Sequence, residues 1–254
     1  MEAGLFCMCL IMTELSNKNN LTQRMTILMD ELKERASKSK RSARRMAVWR
    51  FTVMLSYVLK RAIDLVVSFL ALLVLFPFFI VIAILIKMTS KGPVFFIQKR
   101  VGYNGQHFSF YKFRSMYVDA ERRKAALMAQ NESGDGVIFK MKNDPRITPI
   151  GRIMRRTSID ELPQFFNVLF GDMSLVGPRP PLPQEVELYT LEDRKRLNVK
   201  PGLTCLWQIK GRSDIPFKEQ VKLDKEYIRS QSLIQDLWIL LRTIPAIVSG
   251  RGAY

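Results

Sequence analysis

The sequence predicts an α+β fold that is mainly helical, with an N-terminal membrane helix, a small β-hairpin and amphipathic helices at the membrane surface. Three observations carry this reading. Residues 65–86 are apolar and hold no charged side chain. An Asn-Gly pair, Asn104-Gly105, stands between two short runs rich in aromatic residues, a hairpin signal. Beyond it, apolar residues recur at helical spacing in short segments.

The elements follow in chain order. The apolar run at residues 5–12 is short and Glu2 stands where a signal peptide has a basic leader, so no signal peptide is expected; Met12 is an alternative start. Residues 13–50 are polar and rich in Lys, Arg and Ser, which predicts a basic arm that is loosely helical or unstructured. Residues 65–86 are long enough to cross a bilayer, which takes about 20 apolar residues in a helix. Lys60 and Arg61 flank them on one side, Lys87 and Lys91 on the other, so charge alone does not orient the segment. Pro77 removes a helical hydrogen bond near its middle. By geometry alone the segment either spans with a kink or bends at Pro77 and returns, and spanning is preferred because proline kinks are tolerated in membrane helices.

Residues 94–98 and 107–113 are expected strands, 120–130 a helix and 131–136 a loop. Residues 147–156 and 162–169 read as short helices, whereas 177–183, with four prolines and a glycine, excludes regular structure. The last run, 233–248, is an apolar and aromatic helix suited to a core or to a membrane surface. No internal repeat is found.

Composition narrows the chemistry. The net charge of +17 favours polyanionic partners such as anionic lipid or phosphorylated small molecules. Cys7, Cys9 and Cys205 form neither a disulfide framework nor a zinc set, which fits a reducing compartment. His107 is the single histidine, which disfavours Ser-His and Cys-His nucleophiles and leaves carboxylates. Glycine-rich phosphate loops are absent, as are nucleic-acid-binding motifs.

The densest constellation is residues 152–164, where three arginines precede Asp160-Glu161. Ser158-x-x-Glu161 matches a capping box, and acids stabilise helix N-termini, so a purely structural role is open. The same setting suits catalysis. Arginines and helix amides would hold Asp160 ionised, able to attack phosphorus, while Glu161 suits Mg²⁺. Lys112, Arg114, Arg146, Arg155, Arg156 and Arg179 are candidate phosphate contacts, because guanidinium and ammonium groups match phosphate oxygens.

From about Lys60 to the C-terminus the chain resembles the bacterial sugar transferases, the monotopic phosphoglycosyl transferases. The motifs that carry this are Lys60-Arg61-x-x-Asp64, Gly92-Pro93-Val94-Phe95-Phe96, Lys112-Phe113-Arg114-Ser115-Met116, Ser158-Ile159-Asp160-Glu161-Leu162-Pro163-Gln164, Gly177-Pro178-Arg179-Pro180, Lys200-Pro201-Gly202-Leu203-Thr204, Trp207-Gln208-x-x-Gly211-Arg212 and Gly252-Ala253-Tyr254. The resemblance implies Asp160 as nucleophile on the β-phosphate of a UDP-sugar, an aspartyl-phosphosugar intermediate, release of UMP, and transfer to undecaprenyl (polyprenyl) phosphate. It implies Mg²⁺ at Asp160 and Glu161. It also reverses the spanning preference, because the family's helix breaks and re-enters; Lys60, Arg61, Asp64 and Pro77 are then the membrane-associated residues. The break is often a Ser-Pro pair, and here it is Phe76-Pro77.

The expected organisation is a partly disordered basic extension (1–59), a re-entrant membrane helix (60–91) and a catalytic domain (92–254) on the cytoplasmic face of a bacterial inner membrane. Expected partners are a UDP-sugar, polyprenyl phosphate, inner-membrane lipid and a second copy of the chain in a homodimer, with no nucleic acid. The product would initiate exopolysaccharide, capsule, O-antigen (lipopolysaccharide) or glycoconjugate assembly. The rival reading is a non-catalytic membrane adaptor for anionic lipid or an assembly partner.

Overall fold

The computed structural model describes residues 2–127, 141, 143–250 and 252. The expected loop at 131–136, the end of the helix expected to reach residue 130, and Ala253-Tyr254 lie outside the described residues, as do the side chains of Cys7 and Cys9. Two compact units are present, Met1–Tyr57 and Val58–Tyr254. The first is helical, with i,i+4 pairing of Glu34 and Lys38 at 2.8 Å and exposed side chains throughout its last turns, among them Arg44, Arg45 and Trp49.

Helix α1 is assigned to Glu2–Thr89 and contains a stretch apolar and long enough to cross a membrane. Pro77 lies inside it, and the residues on either side remain helical, so the break expected at Phe76-Pro77 does not interrupt the element. This matches the tolerance of helices for a proline kink when other contacts support them.

The hairpin joins β1 (Phe95–Val101) to β2 (His107–Phe113), from Phe95 opposite Phe113 to Val101 opposite His107. Asn104 and Gly105 both take positive φ, 53° and 79°, the twist a tight hairpin turn demands and Asn-Gly supplies. Alternation along β2 then separates two cores. Phe110 enters the larger one, with Val168, Met173, Trp207, Tyr227 and Ile239. Phe113 faces the other way into Phe79, Ile82 and Ile86 of α1 and Met154, and meets the Phe79 ring edge-on at 5.0 Å.

The remaining elements are short: α2 (Ala120–Leu127), α3 (Pro149–Arg156), α4 (Gln164–Phe170), β3 (Ser174–Val176), α5 (Pro183–Glu187), α6 (Leu191–Arg194), β4 (Gly202–Thr204), α7 (Leu206–Lys210), α8 (Phe217–Ser230) and α9 (Leu233–Ser249). Helix α3 starts at Pro149 because Thr148 caps it, accepting from the Gly151 N–H at 3.0 Å. Gly151 has no room for a side chain, since a Cβ there would lie 1.9 Å from the Ser115 carbonyl oxygen. Helix α4 is fixed to the hairpin by Asn167, which accepts from the Tyr111 N–H at 3.1 Å and donates to the Ser109 carbonyl at 2.6 Å. Parallel pairing of β3 with β4 brings Gly202 so close to Gly177 that a Cβ would sit 2.0 Å from the Gly177 nitrogen.

Three of the residues expected to be membrane-associated, Lys60, Arg61 and Asp64, tie α1 to other elements of the Val58–Tyr254 unit. Lys60 donates to Asp236 Oδ2 at 2.5 Å and to the Val176 carbonyl at 3.1 Å. Arg61 donates to the Val168 and Leu169 carbonyls at 2.7 and 3.0 Å, at the negative end of α4. Asp64, buried, accepts from the Leu175 N–H at 3.0 Å. Arg196 and Asp224 form a second buried ion pair beneath α8. On α9 the residues Ile234, Leu237, Trp238, Leu241 and Ile244 are exposed while Ile239 is buried, an apolar outer face.

Candidate active site

Asp160 and Glu161 sit in a short 3-10 turn, Ile159–Glu161, between α3 and α4. The expected capping box does not form. Ser158 takes a left-handed conformation with φ of 57° and makes no side-chain cap; its hydroxyl accepts from Arg212 at 3.0 Å. The positive φ costs on the order of 1 kcal/mol for a non-glycine residue, and Ser158 shares it with Arg212, whose φ is 52°. This bend turns both acids towards a cavity of about 670 Å³.

Lys112 reaches the pair because alternation along β2 places it on the Phe110 face, with its ammonium over the Phe110 ring at 5.4 Å. Its Nζ lies 2.7 Å from Glu161 Oε1 and 3.9 Å from Asp160 Oδ2. Arg179 comes from the proline-rich loop after β3 and donates to the same Glu161 oxygen at 2.9 Å. That loop is held by its neighbours, with the Val101 N–H on the Pro181 carbonyl and the Gly202 N–H on the Pro178 carbonyl.

Adjacent carboxylates thus acquire opposite characters. Burial raises the Glu161 carboxyl, but Arg179 and Lys112 outweigh it and hold Glu161 well below the usual carboxylate range. Asp160 is 5% exposed, and burial pushes its carboxyl above the usual value, with Lys112 pulling it back and the Glu161 charge pushing it further up. The sequence reading had the arginines lowering Asp160; depth of burial reverses the sign. Among the described residues its carboxylate accepts no hydrogen bond, which leaves its oxygens to the cavity.

The other expected phosphate contacts divide. Arg155 lines the cavity, its Nε donating to Ser115 Oγ at 3.0 Å, and burial lowers its pKa. Arg114 borders the cavity too, but its guanidinium is spent on the Ser90 and Lys91 carbonyls, closing the end of α1. Arg146 is locked in a bidentate pair with Asp144, at 2.6 and 2.9 Å. Arg156 is exposed and absent from the cavity wall, because one residue step turns it about 100° from Arg155 around α3.

Besides Arg196, which pairs with Asp224, two basic residues on the wall were given no role by sequence reasoning. Arg100, lowered to about 10 by burial, donates to the Pro180 carbonyl at 3.0 Å. Arg212 keeps its Nη1 buried without a partner, beside Trp207 and Gln208 in the wall. The signal for Arg212 was in the Trp207-Gln208-x-x-Gly211-Arg212 motif, but a motif alone does not give a direction. The cavity thus joins an ionisable carboxylate, held by Lys112 only at 3.9 Å, to fixed cations, an arrangement suited to a phosphorylated ligand.

The bacterial sugar transferase family matches residues 55–250. The chain belongs to this family. It is 39% identical over 198 residues to the exopolysaccharide production protein ExoY of Sinorhizobium fredii, covering 77% of this chain and 88% of that protein. It is 50% identical over 197 residues to the galactosyl transferase CpsE of Streptococcus agalactiae, covering 76% of this chain and 43% of the relative. The undecaprenyl-phosphate galactose phosphotransferase of Salmonella typhimurium is 42% identical over 200 residues, covering 77% of this chain and 42% of the relative. The chain therefore spans less than half the length of the latter two. The matched region contains every charged residue of the cavity wall, from Arg100 to Arg212.

Proposed function

We propose that this bacterial sugar transferase moves a sugar 1-phosphate from a UDP-sugar to undecaprenyl phosphate at the cytoplasmic face of the inner membrane. The observation that carries the reading is the Asp160 carboxylate, paired with Lys112 only at 3.9 Å, beside a Glu161 that Lys112 and Arg179 hold ionised. Relatives named as phosphotransferases acting on undecaprenyl phosphate support the acceptor, and the apolar stretch of α1 supports the membrane.

An Asp160 carboxylate oxygen attacks the β-phosphorus of the donor. The Oδ–P bond forms as the bridging oxygen–phosphorus bond breaks, and UMP leaves with that electron pair. An oxygen of the acceptor phosphate then attacks the same phosphorus, the Oδ–P bond breaks, and the aspartate is regenerated. The acceptor is already an anion, so no general base is needed for that attack. Arg155, Arg179 and Lys112 bind and orient phosphate oxygens, and Glu161 fixes Lys112 and Arg179. The neighbouring carboxylates also fit Mg²⁺, which takes one or two protein carboxylates and draws its remaining ligands from phosphate and water. No third acidic, histidine or cysteine ligand joins them among the described residues, as expected for an ion shared with a diphosphate. When bound, the ion would supply charge neutralisation to that diphosphate.

We further divide the chain into a basic extension (1–59), a re-entrant membrane helix (60–91) and the catalytic domain (92–254), with the product starting an extracellular polysaccharide or glycoconjugate. The test is UMP release from a panel of UDP-sugars by the full chain with Mg²⁺ and undecaprenyl phosphate. Turnover is expected with one or a few of the sugars, and Asp160→Asn should lower it by at least about a thousandfold. Full turnover by the variant sinks the nucleophile assignment.

A further inference from the structure

Charged and apolar residues share the cavity wall, and one edge, formed by Pro93, Phe95, Phe96, Tyr117 and Val118, carries no charge. Phe95, Phe96 and Tyr117 are 43%, 39% and 36% exposed, and Val118 is 67% exposed. This edge adjoins the end of the apolar helix. Phe95 stacks on Phe113 at 5.4 Å, and Phe113 in turn packs on Phe79 of α1. Gly92 follows α1 closely in the chain, and a Cβ there would lie 2.8 Å from Val118 Cγ2. Arg114 seals that junction by binding the Ser90 and Lys91 carbonyls. Ser115, next in the chain to Arg114, accepts from Arg155 at 3.0 Å, and both line the same cavity as Asp160.

We propose that this apolar edge is the doorway for the lipid acceptor, with isoprenoid carbons lying over Phe96, Tyr117 and Val118 and the lipid phosphate led to Arg155. The proposal rests on the transferase reading and assigns the acceptor a side of the cavity. Two features favour a lipid over the nucleotide base of the donor. The edge is continuous with the apolar surface of α1, the segment suited to a bilayer, so a tail lying there need not cross water. Of the edge residues only Tyr117 carries a side-chain hydrogen-bonding group, its hydroxyl, whereas Arg212, Gln208 and Trp207 supply several of the groups that reading a base needs elsewhere on the wall.

The experiment uses the full chain in phospholipid nanodiscs and has two arms. In the first, a polyprenyl phosphate carrying a diazirine in its first isoprene units is photoactivated, and the labelled peptides are sequenced. Labelling at residues 93–96 or 116–118 is expected; labelling confined to α9 or to the Trp207-Gln208 side overturns the doorway. In the second, KM values for undecaprenyl phosphate and for the UDP-sugar are compared in Val118→Glu and Val118→Ile. The acidic variant should raise the acceptor KM at least about tenfold more than the donor KM, a difference of about 1.4 kcal/mol, and the isoleucine variant should restore it. An equal or donor-biased change overturns the proposal. Labelling needs no turnover, so it decides the doorway even for a Val118→Glu chain that does not fold. Absence of UMP release by the wild type from every UDP-sugar removes the transferase reading instead.

Discussion

Asp160 and Glu161 are neighbours in the chain, yet their surroundings give them different work. Glu161 shares one oxygen between Lys112 and Arg179, while Asp160 has only the 3.9 Å approach of Lys112. Attack on phosphorus requires an ionised Asp160. Because burial raises its pKa, that ionised fraction is lost at a higher pH than for an ordinary aspartate as the medium is acidified. The acid limb of kcat/KM should therefore lie above about pH 4, the usual aspartate value. Glu161→Gln removes a like charge and releases Lys112 towards Asp160, so it should move that limb to lower pH whatever it does to the rate. A wild-type limb at or below the usual value contradicts the environment described. At this scale the sequence showed which residue types gather near the acids. It did not show that Arg146 and Arg114 have other partners, Asp144 and the end of α1, because those depend on distances that no motif encodes. Nor did it show the left-handed Ser158, since Ser-x-x-Glu is compatible with both a cap and a bend.

Among the elements, the hairpin was legible because Asn-Gly admits few alternatives, and β1 merely extends further than expected, to Val101. Helix α4 begins at Gln164, after Pro163 rather than before it. The reach of Lys60 was the least visible feature: its partner Asp236 lies 176 residues away, so flanking position alone suggested a lipid-facing charge. With the two side chains only 15% and 10% exposed, breaking this pair leaves a buried charge uncompensated. Lys60→Met should destabilise the chain by about 3–5 kcal/mol, seen as a lowered thermal midpoint in detergent, and adding Asp236→Leu should recover part of the loss. An unchanged midpoint in the single variant would show that Lys60 does not fasten α1 to α9. The sequence left α9 open between a core and a membrane surface, and its exposed apolar face, with Ile239 buried behind it, fits the second.

For the whole molecule, composition pointed to a membrane-associated binder of anions, and the resemblance of the motif series to a family gave that binder its reaction. Helix α1 continues through Pro77, so the direction in which it leaves the bilayer has its own test. Single cysteines placed at Leu59 and Met88 in a Cys-free background should both react with an impermeant maleimide from the cytoplasmic side; reaction from opposite sides would establish a span. The most direct test of the chemistry is the intact mass of the full chain after incubation with Mg²⁺ and a competent UDP-sugar, with no lipid acceptor. A gain of one sugar phosphate, absent in Asp160→Asn and discharged on adding undecaprenyl phosphate, is the expected result. Turnover with both substrates but no such adduct, or the same adduct on Asp160→Asn, would contradict Asp160 as the nucleophile.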